Sequence, residues 1–145
     1  MADIFESLTT DHREIDDLLT RARQDADPVV VRQVCDALTL HAEIEESVLY
    51  PEVRRIVDGG DDIVNDAEAE HAAIRTLVAQ IYEAPPTDLT RLLEALQSNV
   101  VDHVKIEESE IFPALIDCGA NAEELGRKLE AARGESASRS SGEVG

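Results

Sequence analysis

The side chains best suited to chemistry are the four histidines of the sequence. Two of them stand four residues before a glutamate, in His41-x-x-x-Glu45 and in His103-x-x-x-Glu107. Residues four apart project from one face of a helix, so each pair can point into the interior of a helical bundle. Imidazole and carboxylate together suit iron, manganese or zinc better than calcium or magnesium, which prefer oxygen ligands. The spacing therefore predicts transition-metal ligands on two helices.

Both motifs belong to an internal repeat. The segment HAEIEESVLYPEV (41–53) aligns without gaps with HVKIEESEIFPAL (103–115), and the preceding DHREIDDLL aligns with EHAAIRTLV, so that His12 matches His71. Each half of the repeat supplies one histidine and one His-x-x-x-Glu motif. Inward Glu and His side chains on facing helices are how bundles build two-metal sites, and six convergent ligands suit two ions better than one. The predicted ligands are His12, His41, Glu45, His71, His103 and Glu107.

A histidine four residues before a glutamate is also common as a surface pair or as a core histidine without metal. Two features weigh against that alternative here: no histidine lies outside the pattern, and each motif has an apolar frame such as Ile44 or Ile106. The adjacent Glu46 and Glu108 are repeated as well. A helix turns about 100° per residue, which points these two away from the predicted ligands. We therefore predict that Glu46 and Glu108 are solvated surface residues.

One polar difference breaks the repeat, since Tyr50 takes the place of Phe112. The Tyr50 phenol could ligate iron or hydrogen-bond a bound oxo species if a kink at Pro51 turns the ring inward, which makes Tyr50 the candidate catalytic residue. Plain core packing is the competing interpretation, because aromatic rings at helix ends usually serve packing.

The elements that must carry these residues are helices. Apolar side chains recur at helical spacing, and capping residues separate four long segments with short connections, which implies antiparallel neighbours. The predicted fold is all-α, an up-down-up-down four-helix bundle. Pro51 and Pro113 interrupt two of the helices, where we expect a kink or a helix end. The expected helices run from about Ile4 to Asp25, from Pro28 to a stop at Gly59-Gly60, from Asp61 or Asp62 to an end before Pro85-Pro86, and from a cap at Thr87 or Asp88 to about Asp117.

A short extra C-terminal helix is expected from Ala122 to Ala132, with Leu125 and Leu129 on its apolar side. The residues that follow are rich in glycine and serine and nearly free of apolar side chains, so they cannot offset the entropy of ordering. We predict one bundle domain over residues 1–133 and a flexible tail over residues 134–145.

Composition limits the partners. Acidic side chains number 32 against 13 basic ones, a net charge of -19, which repels phosphate backbones and anionic lipids. We expect small-molecule partners, no nucleic acid, no membrane, and a monomer or weak oligomer.

Cys35 and Cys118 form no C-x-x-C pair and are expected to be small buried residues in a reducing compartment. With no leader or membrane span in the sequence, the expected location is the cytoplasm.

The order His, His-x-x-x-Glu, His, His-x-x-x-Glu, followed by Tyr-Pro or Phe-Pro, resembles the hemerythrin-like (HHE cation-binding) family over about residues 4–118. The resemblance implies a non-haem di-iron centre, two iron ions joined by an oxo or hydroxo bridge, in which Glu45 and Glu107 bridge and the four histidines are terminal ligands. Oxygen-carrying hemerythrins use a fifth histidine. Four histidines leave more coordination positions open, so reversible oxygen carriage is not what this ligand set implies.

The function that the resemblance implies is reaction with peroxide or oxygen, and the principal expectation is catalase-like decomposition of hydrogen peroxide, with the metals as redox template and Lewis acid. The alternative is a binding protein without turnover, which senses oxygen or nitric oxide, stores iron or serves in iron-centre repair. A third interpretation is an acidic bundle that holds zinc or no metal.

Overall fold

The structure is a computed structural model that describes the backbone of residues 3–144 and the side chains of residues 3–136. No residue of this described part lies in a strand, and two five-residue π-helical turns, Glu45–Leu49 and Glu107–Ile111, separate α-helices. The α-helices are α1 Ile4–Asp25, α2 Pro28–Ile44, α3 Tyr50–Ile56, α4 Gly60–Glu83, α5 Pro86–Ile106, α6 Phe112–Asp117 and α7 Ala122–Val144.

The bundle has four long helical segments, which we call rods. The first and third rods are α1 and α4, while α2 and α3 join through the first π-turn, and α5 and α6 join through the second. α1 packs against α2 and α5, and α4 packs against α3 and α5. The all-α bundle predicted from the sequence is confirmed. A fifth rod, α7, packs along α1, α2 and the first π-turn.

Local capping explains the first two helix starts. The side chain of Asp3 accepts a hydrogen bond from the Glu6 amide, and that of Asp27 accepts one from the Val29 amide, both at 2.9 Å. Such caps satisfy amides that have no partner inside the helix. The predicted cap of α5 is wrong: the helix begins at Pro86 with Pro85 as its cap, not at Thr87 or Asp88. Proline suits a first helical turn because its φ is preset and its missing amide is not needed there.

The two internal prolines produce π-turns. The Tyr50 amide bonds to the Glu45 carbonyl and the Phe112 amide bonds to the Glu107 carbonyl, each five residues back. A proline ring collides with the carbonyl four residues before it in a regular α-helix, and a wider turn relieves that collision. The expected kink or helix end is therefore a change of helix type, after which the rod continues. Since residues five apart stack in such a turn, Tyr50 lies on the same face as Glu45.

The apolar core is divided into two clusters by a layer of polar residues. On α1, Leu8 belongs to one cluster and Ile15 to the other, and His12 lies between them. On α4 the same order is Ala67, His71 and Ile74. We call the cluster with Ile15 the first cluster and the one with Leu8 the second cluster. The histidines are thus held at one level of the bundle by packing above and below.

The C-terminal helix begins at Ala122 as expected, and its Leu125 and Leu129 are buried in the second cluster. Its backbone is helical as far as Val144, beyond the predicted end at Ala132. Side chains from residue 137 onward lie outside the described residues. The flexibility of residues 134–145 and the domain boundary at residue 133 stay predictions.

The cysteines differ in environment. Cys35 is buried, as expected, and burial raises the pKa of its thiol to about 11. Cys118 is exposed, so its predicted burial is wrong; it caps the end of α6, where the chain turns away from the core.

Among the residues that the structure describes, no helix combines the length and the apolar character needed to cross a bilayer.

A close backbone contact joins α3 to α4. A Cβ on Gly60 would lie 2.2 Å from the carbonyl oxygen of Val53, which is backbone and cannot rotate away. Gly60→Ala should therefore destabilise the protein by about 1–3 kcal/mol, measured by urea unfolding. Gly134→Ala is the matched control, since nothing lies within 4 Å of its added Cβ. Equal stability of the two variants would contradict the close contact.

Candidate metal centre

The six residues predicted as ligands come together in the polar layer. Each is at most 6% exposed, and the carboxylates of Glu45 and Glu107 are fully buried. Burial of an ionised carboxylate is unfavourable unless it is paired. The members of this set, which we call the inner residues, are His12, His41, Glu45, His71, His103 and Glu107.

The inner residues form two overlapping groups of candidate ligands, within each of which the ligand atoms lie within 4.8 Å of one another. We call His12 and His41 the first half-site, and His71 and His103 the second half-site. The first group joins the first half-site to both glutamates, and the second group joins the second half-site to Glu45. Glu45 is therefore shared between the two.

Each carboxylate reaches both half-sites. Glu45 Oε1 lies 3.0 Å from His71 Nε2 and 3.4 Å from His103 Nε2, whereas its Oε2 lies 3.2 Å from His41 Nε2. Glu107 Oε1 lies 3.0 Å from His12 Nε2, and its Oε2 lies 3.3 Å from His103 Nε2. Both glutamates thus lie between the histidine pairs with one oxygen directed to each.

Four of the inner atoms are buried without a hydrogen-bond partner among the described residues: His12 Nε2, His41 Nε2, Glu45 Oε2 and Glu107 Oε1. Unsatisfied buried polar atoms are uncommon in folded proteins and require an explanation. All four are nitrogen or oxygen donors that face one another, and a cation between them would satisfy them together. The donor set therefore fits a metal ion.

A second ring of carboxylates surrounds the histidines. Every histidine Nδ1 contacts one of them, and an ionised carboxylate only accepts, so Nδ1 carries the proton and Nε2 is left for a metal ion. We call these residues the outer carboxylates. The Nδ1 to oxygen distances are 2.6 Å for His12 and Glu108, 2.8 Å for His71 and Glu46, 2.7 Å for His103 and Glu70, and 3.3 Å for His41 and Asp11.

The predictions for Glu46 and Glu108 need correction, because these residues are not merely solvated. Each side chain points sideways from the inner glutamate before it, toward the neighbouring helix. There it contacts a histidine of the other hairpin. Asp11 and Glu70 were not identified from the sequence. Their signal was present, since an acidic residue precedes both His12 and His71 in the repeat.

Two arginines each donate hydrogen bonds to an outer carboxylate. Arg75 donates to both oxygens of Glu46, at 2.8 and 2.9 Å, and Arg133 donates to both oxygens of Asp11, at 3.0 and 2.8 Å. Burial acts to raise the pKa of Asp11, but hydrogen bonds from His41 and Arg133 outweigh it and keep that pKa below its usual value. Arg75 and His71 lower the pKa of Glu46 in the same way.

The inner carboxylates attract protons to the histidines. Burial by itself lowers a histidine pKa, yet the negative carboxylates of Glu107 and Glu45 close to the rings raise the pKa of His12 to about 10 and that of His103 to about 11. The pKa of His41 rises to about 9, chiefly through Glu45 and Asp11 against its burial. Burial acts to raise the pKa of Glu45, but the charge of His41 and the other contacts of this carboxylate lower it well below its usual value. The inner carboxylates thus give the centre a negative charge that favours positive charge beside it.

Tyr50 reaches the centre from the side of the second cluster. Its ring is 2% exposed, and its hydroxyl lies 3.1 Å from His71 Nε2, 3.2 Å from Glu107 Oε2 and 3.3 Å from Glu45 Oε1. Burial and the two carboxylate charges raise the pKa of the phenol, so it keeps its proton. The equivalent Phe112 stacks on His12 instead, with ring planes 7° apart.

A small cavity adjoins the histidines on the opposite side. Its volume is about 20 Å³, roughly the room for one water molecule. The four histidines form its polar wall, and first-cluster residues such as Ile15, Leu38 and Val100 form the rest. Tyr50 does not line it. The centre therefore has two distinct sides, a phenol on one and an apolar space on the other.

Comparisons with known proteins give a family match and a curated relative. The family model described as "Hemerythrin HHE cation binding domain" matches residues 3–115. A protein named "DNA nickase" from Nostoc sp. (strain PCC 7120 / SAG 25.82 / UTEX 2576) is 33% identical over 118 residues, which cover 77% of this chain and 33% of that relative. The chain thus spans about a third of the length of this curated relative. No solved structure matches.

The family model covers most of the chain and ends within α6, so that α1 to α5 and both inner glutamates lie inside it. On that match, and with the histidines and glutamates gathered in one buried cluster, the chain belongs to the hemerythrin HHE cation-binding family.

Proposed function

We propose that the inner residues hold two iron ions and that this centre decomposes hydrogen peroxide. The observation that carries the proposal is the position of Glu45 and Glu107, each with one oxygen toward either histidine pair. Such a carboxylate is suited to bridging two ions. Each ion would then take two imidazole nitrogens and two carboxylate oxygens, a mixed set that suits iron.

Charge supports two ions over one. The inner and outer carboxylates together number six, and among the described side chains the arginines that contact them are Arg75 and Arg133. Four carboxylate charges are left over, equal to the charge of two divalent cations. Without cations these charges draw protons onto the histidines, as the raised pKa values of His12, His41 and His103 show.

When bound, the two ions would supply two-electron redox chemistry and Lewis acidity. The reaction balances without another reactant, since two hydrogen peroxide molecules give one dioxygen and two waters. The chain contributes an apolar cavity beside the histidines, which admits a small molecule and excludes bulk water. Tyr50 contributes a proton donor against Glu107 and Glu45 on the other side. It would act on the carboxylates or the metal, because it does not line the cavity.

The second candidate function is binding of dioxygen or nitric oxide without turnover. The observation that favours it is the apolar lining and small volume of the cavity, which suit a diatomic molecule. Oxygen evolution from peroxide separates the two functions, because only the first produces oxygen. An iron-loaded protein that binds nitric oxide and evolves no oxygen would establish the second.

We do not propose DNA as a substrate. The named relative shares only about a third of its own length with this chain, and a net charge of -19 repels a phosphate backbone. Small-molecule partners, a monomeric or weakly oligomeric state and a cytoplasmic location stay predictions from the sequence.

Loss of a shared ligand should differ from loss of a terminal one. We expect Glu45→Gln to abolish binding of both ions, whereas His71→Ala should remove mainly the ion of the second half-site and lower the thermal midpoint of the loaded protein, because bound metal stabilises the fold. Elemental analysis of iron per chain measures this. Glu110→Gln, an exposed glutamate in the second π-turn, is the matched control and should retain wild-type iron. Unchanged iron in His71→Ala would contradict the ligand set.

The raised histidine pKa values predict pH dependence. In the metal-free protein His12, His41 and His103 have pKa values above the ordinary 6.5, so their contribution to stability is fully present below pH 6.5 and is lost as the pH rises through about 9 to 11. Urea unfolding of the metal-free protein should show this loss. Metal must displace the same protons, so calorimetry in buffers of different ionisation enthalpy should detect proton release at pH 7. Metal uptake without proton release would contradict this interpretation.

Tyr50 is tested by a reciprocal pair. Tyr50→Phe removes one hydroxyl from the centre and should lower the rate of oxygen evolution from peroxide by about five- to ten-fold, the loss of one hydrogen bond in the rate-limiting state. Phe112→Tyr is the control, since it adds a hydroxyl at the repeat-related position. An oxygen electrode measures the rate and the visible spectrum reports the iron. If Tyr50→Phe keeps both the rate and the spectrum of the wild type, Tyr50 is a packing residue.

A further inference from the structure

The last helix reaches the centre through one side chain. α7 begins after residue 115, where the family match ends, yet Arg133 donates to both oxygens of Asp11 at 3.0 and 2.8 Å. Asp11 in turn accepts from His41 Nδ1 at 3.3 Å. A chain of direct contacts therefore leads from a helix outside the repeat to a predicted ligand of the first half-site.

Comparison of the two halves of the repeat shows that the contact supplies an arginine to the first half-site. In the second half-site, Arg75 comes four residues after His71 and holds Glu46, the partner of that histidine. The corresponding position of the first hairpin, four residues after His12, is Asp16, which is acidic. The first hairpin thus has no arginine of its own at this place.

Arg133 gives the first half-site an arginine contact equivalent in number to the one in the second half-site. Within the range of described side chains, no arginine or lysine bridges Glu70 or Glu108. Each half-site therefore has one histidine whose outer carboxylate is held by an arginine, and for the first half-site that arginine comes from α7. Without it, the first half-site would carry one more uncompensated negative charge than the second.

We infer that Arg133 is a positioning residue for the first half-site, and that α7 is thereby part of the metal centre. The inference rests on the proposed binding of two metal ions. Both oxygens of Asp11 accept hydrogen bonds from one terminal nitrogen of Arg133, Nη2, and these charge-assisted bonds fix the carboxylate. With Asp11 fixed, the His41 ring keeps the orientation in which Nε2 faces Glu45. Because coupling between sites is reciprocal, metal in the first half-site also strengthens the docking of α7.

Arg133→Met tests the inference, because it removes the guanidinium and keeps an apolar stem. Arg127→Met is the matched control, an exposed arginine on the same helix with the same change of charge. The full metal-free chain is titrated with ferrous iron under nitrogen and followed by calorimetry. We expect two equivalents in the wild type, and in Arg133→Met a loss of about 10–100-fold in affinity for one equivalent, as for other residues that hold a metal-ligating histidine. The other equivalent and Arg127→Met should match the wild type.

Three further measurements separate positioning from general packing. In an Asp11→Asn background, Arg133→Met should change affinity by less than about two-fold, since Arg133 acts through Asp11. Arg133→Lys should restore part of the loss. Amide hydrogen exchange of α7 should slow on metal binding in the wild type and not in Arg133→Met. Should Arg133→Met fail to fold, as judged by circular dichroism, Arg133→Gln gives the same comparison.

The outcomes are distinct. Wild-type protein that binds fewer than two equivalents overturns the two-metal proposal and with it the role of Arg133. Wild-type protein that binds two equivalents, together with an Arg133→Met variant of the same affinities, overturns the role of Arg133 alone. Equal losses in Arg133→Met and Arg127→Met would show an effect of net charge and would also overturn it.

Discussion

Two carboxylates buried at the centre of an apolar bundle, those of Glu45 and Glu107, constrain the rest of this structure. Ionised groups in such a place are unfavourable unless opposite charge surrounds them. His12, His41 and His103 supply that charge as protons when no metal is present, which is why the pKa of Glu45 falls while that of His12 rises to about 10. The two metal ions that we propose would replace those protons at the same atoms. The stability of the fold and the affinity for cations are therefore linked through one layer of residues.

The remaining parts of the bundle keep that layer in register. Apolar clusters above and below hold the histidines at one level, and outer carboxylates fix each ring through Nδ1. Each π-turn starts at an inner glutamate and relieves the clash of the following proline, so that the rod continues and the residue five positions on shares the glutamate's face. A regular α-helix would have turned Tyr50 away from Glu45. The proline and the phenol are thus parts of one local arrangement.

The helices and the six inner residues could be predicted because they depend on short-range patterns. α1 has the bounds that capping and periodicity indicate, and the repeat places His12 over His71 without any knowledge of contacts. Errors arose where a residue's environment depends on a neighbouring helix. Glu46 turns away from its own helix face as predicted, but toward His71 rather than toward water. Cys118 is exposed because the chain leaves the core after α6, which its spacing does not show.

The sequence by itself determined the types of the candidate ligands, their order, the two-fold repeat and the all-α class, since these follow from residue identity and from the helical period. Only the tertiary structure decided which histidines share a half-site, that Asp11 and Glu70 complete the outer ring, and that Arg133 reaches the centre from α7. Those relations join residues far apart in the chain, and Arg133 and Asp11 are separated by 122 positions. Contacts at such separations are set by how the helices pack, and no local pattern in the sequence encodes them.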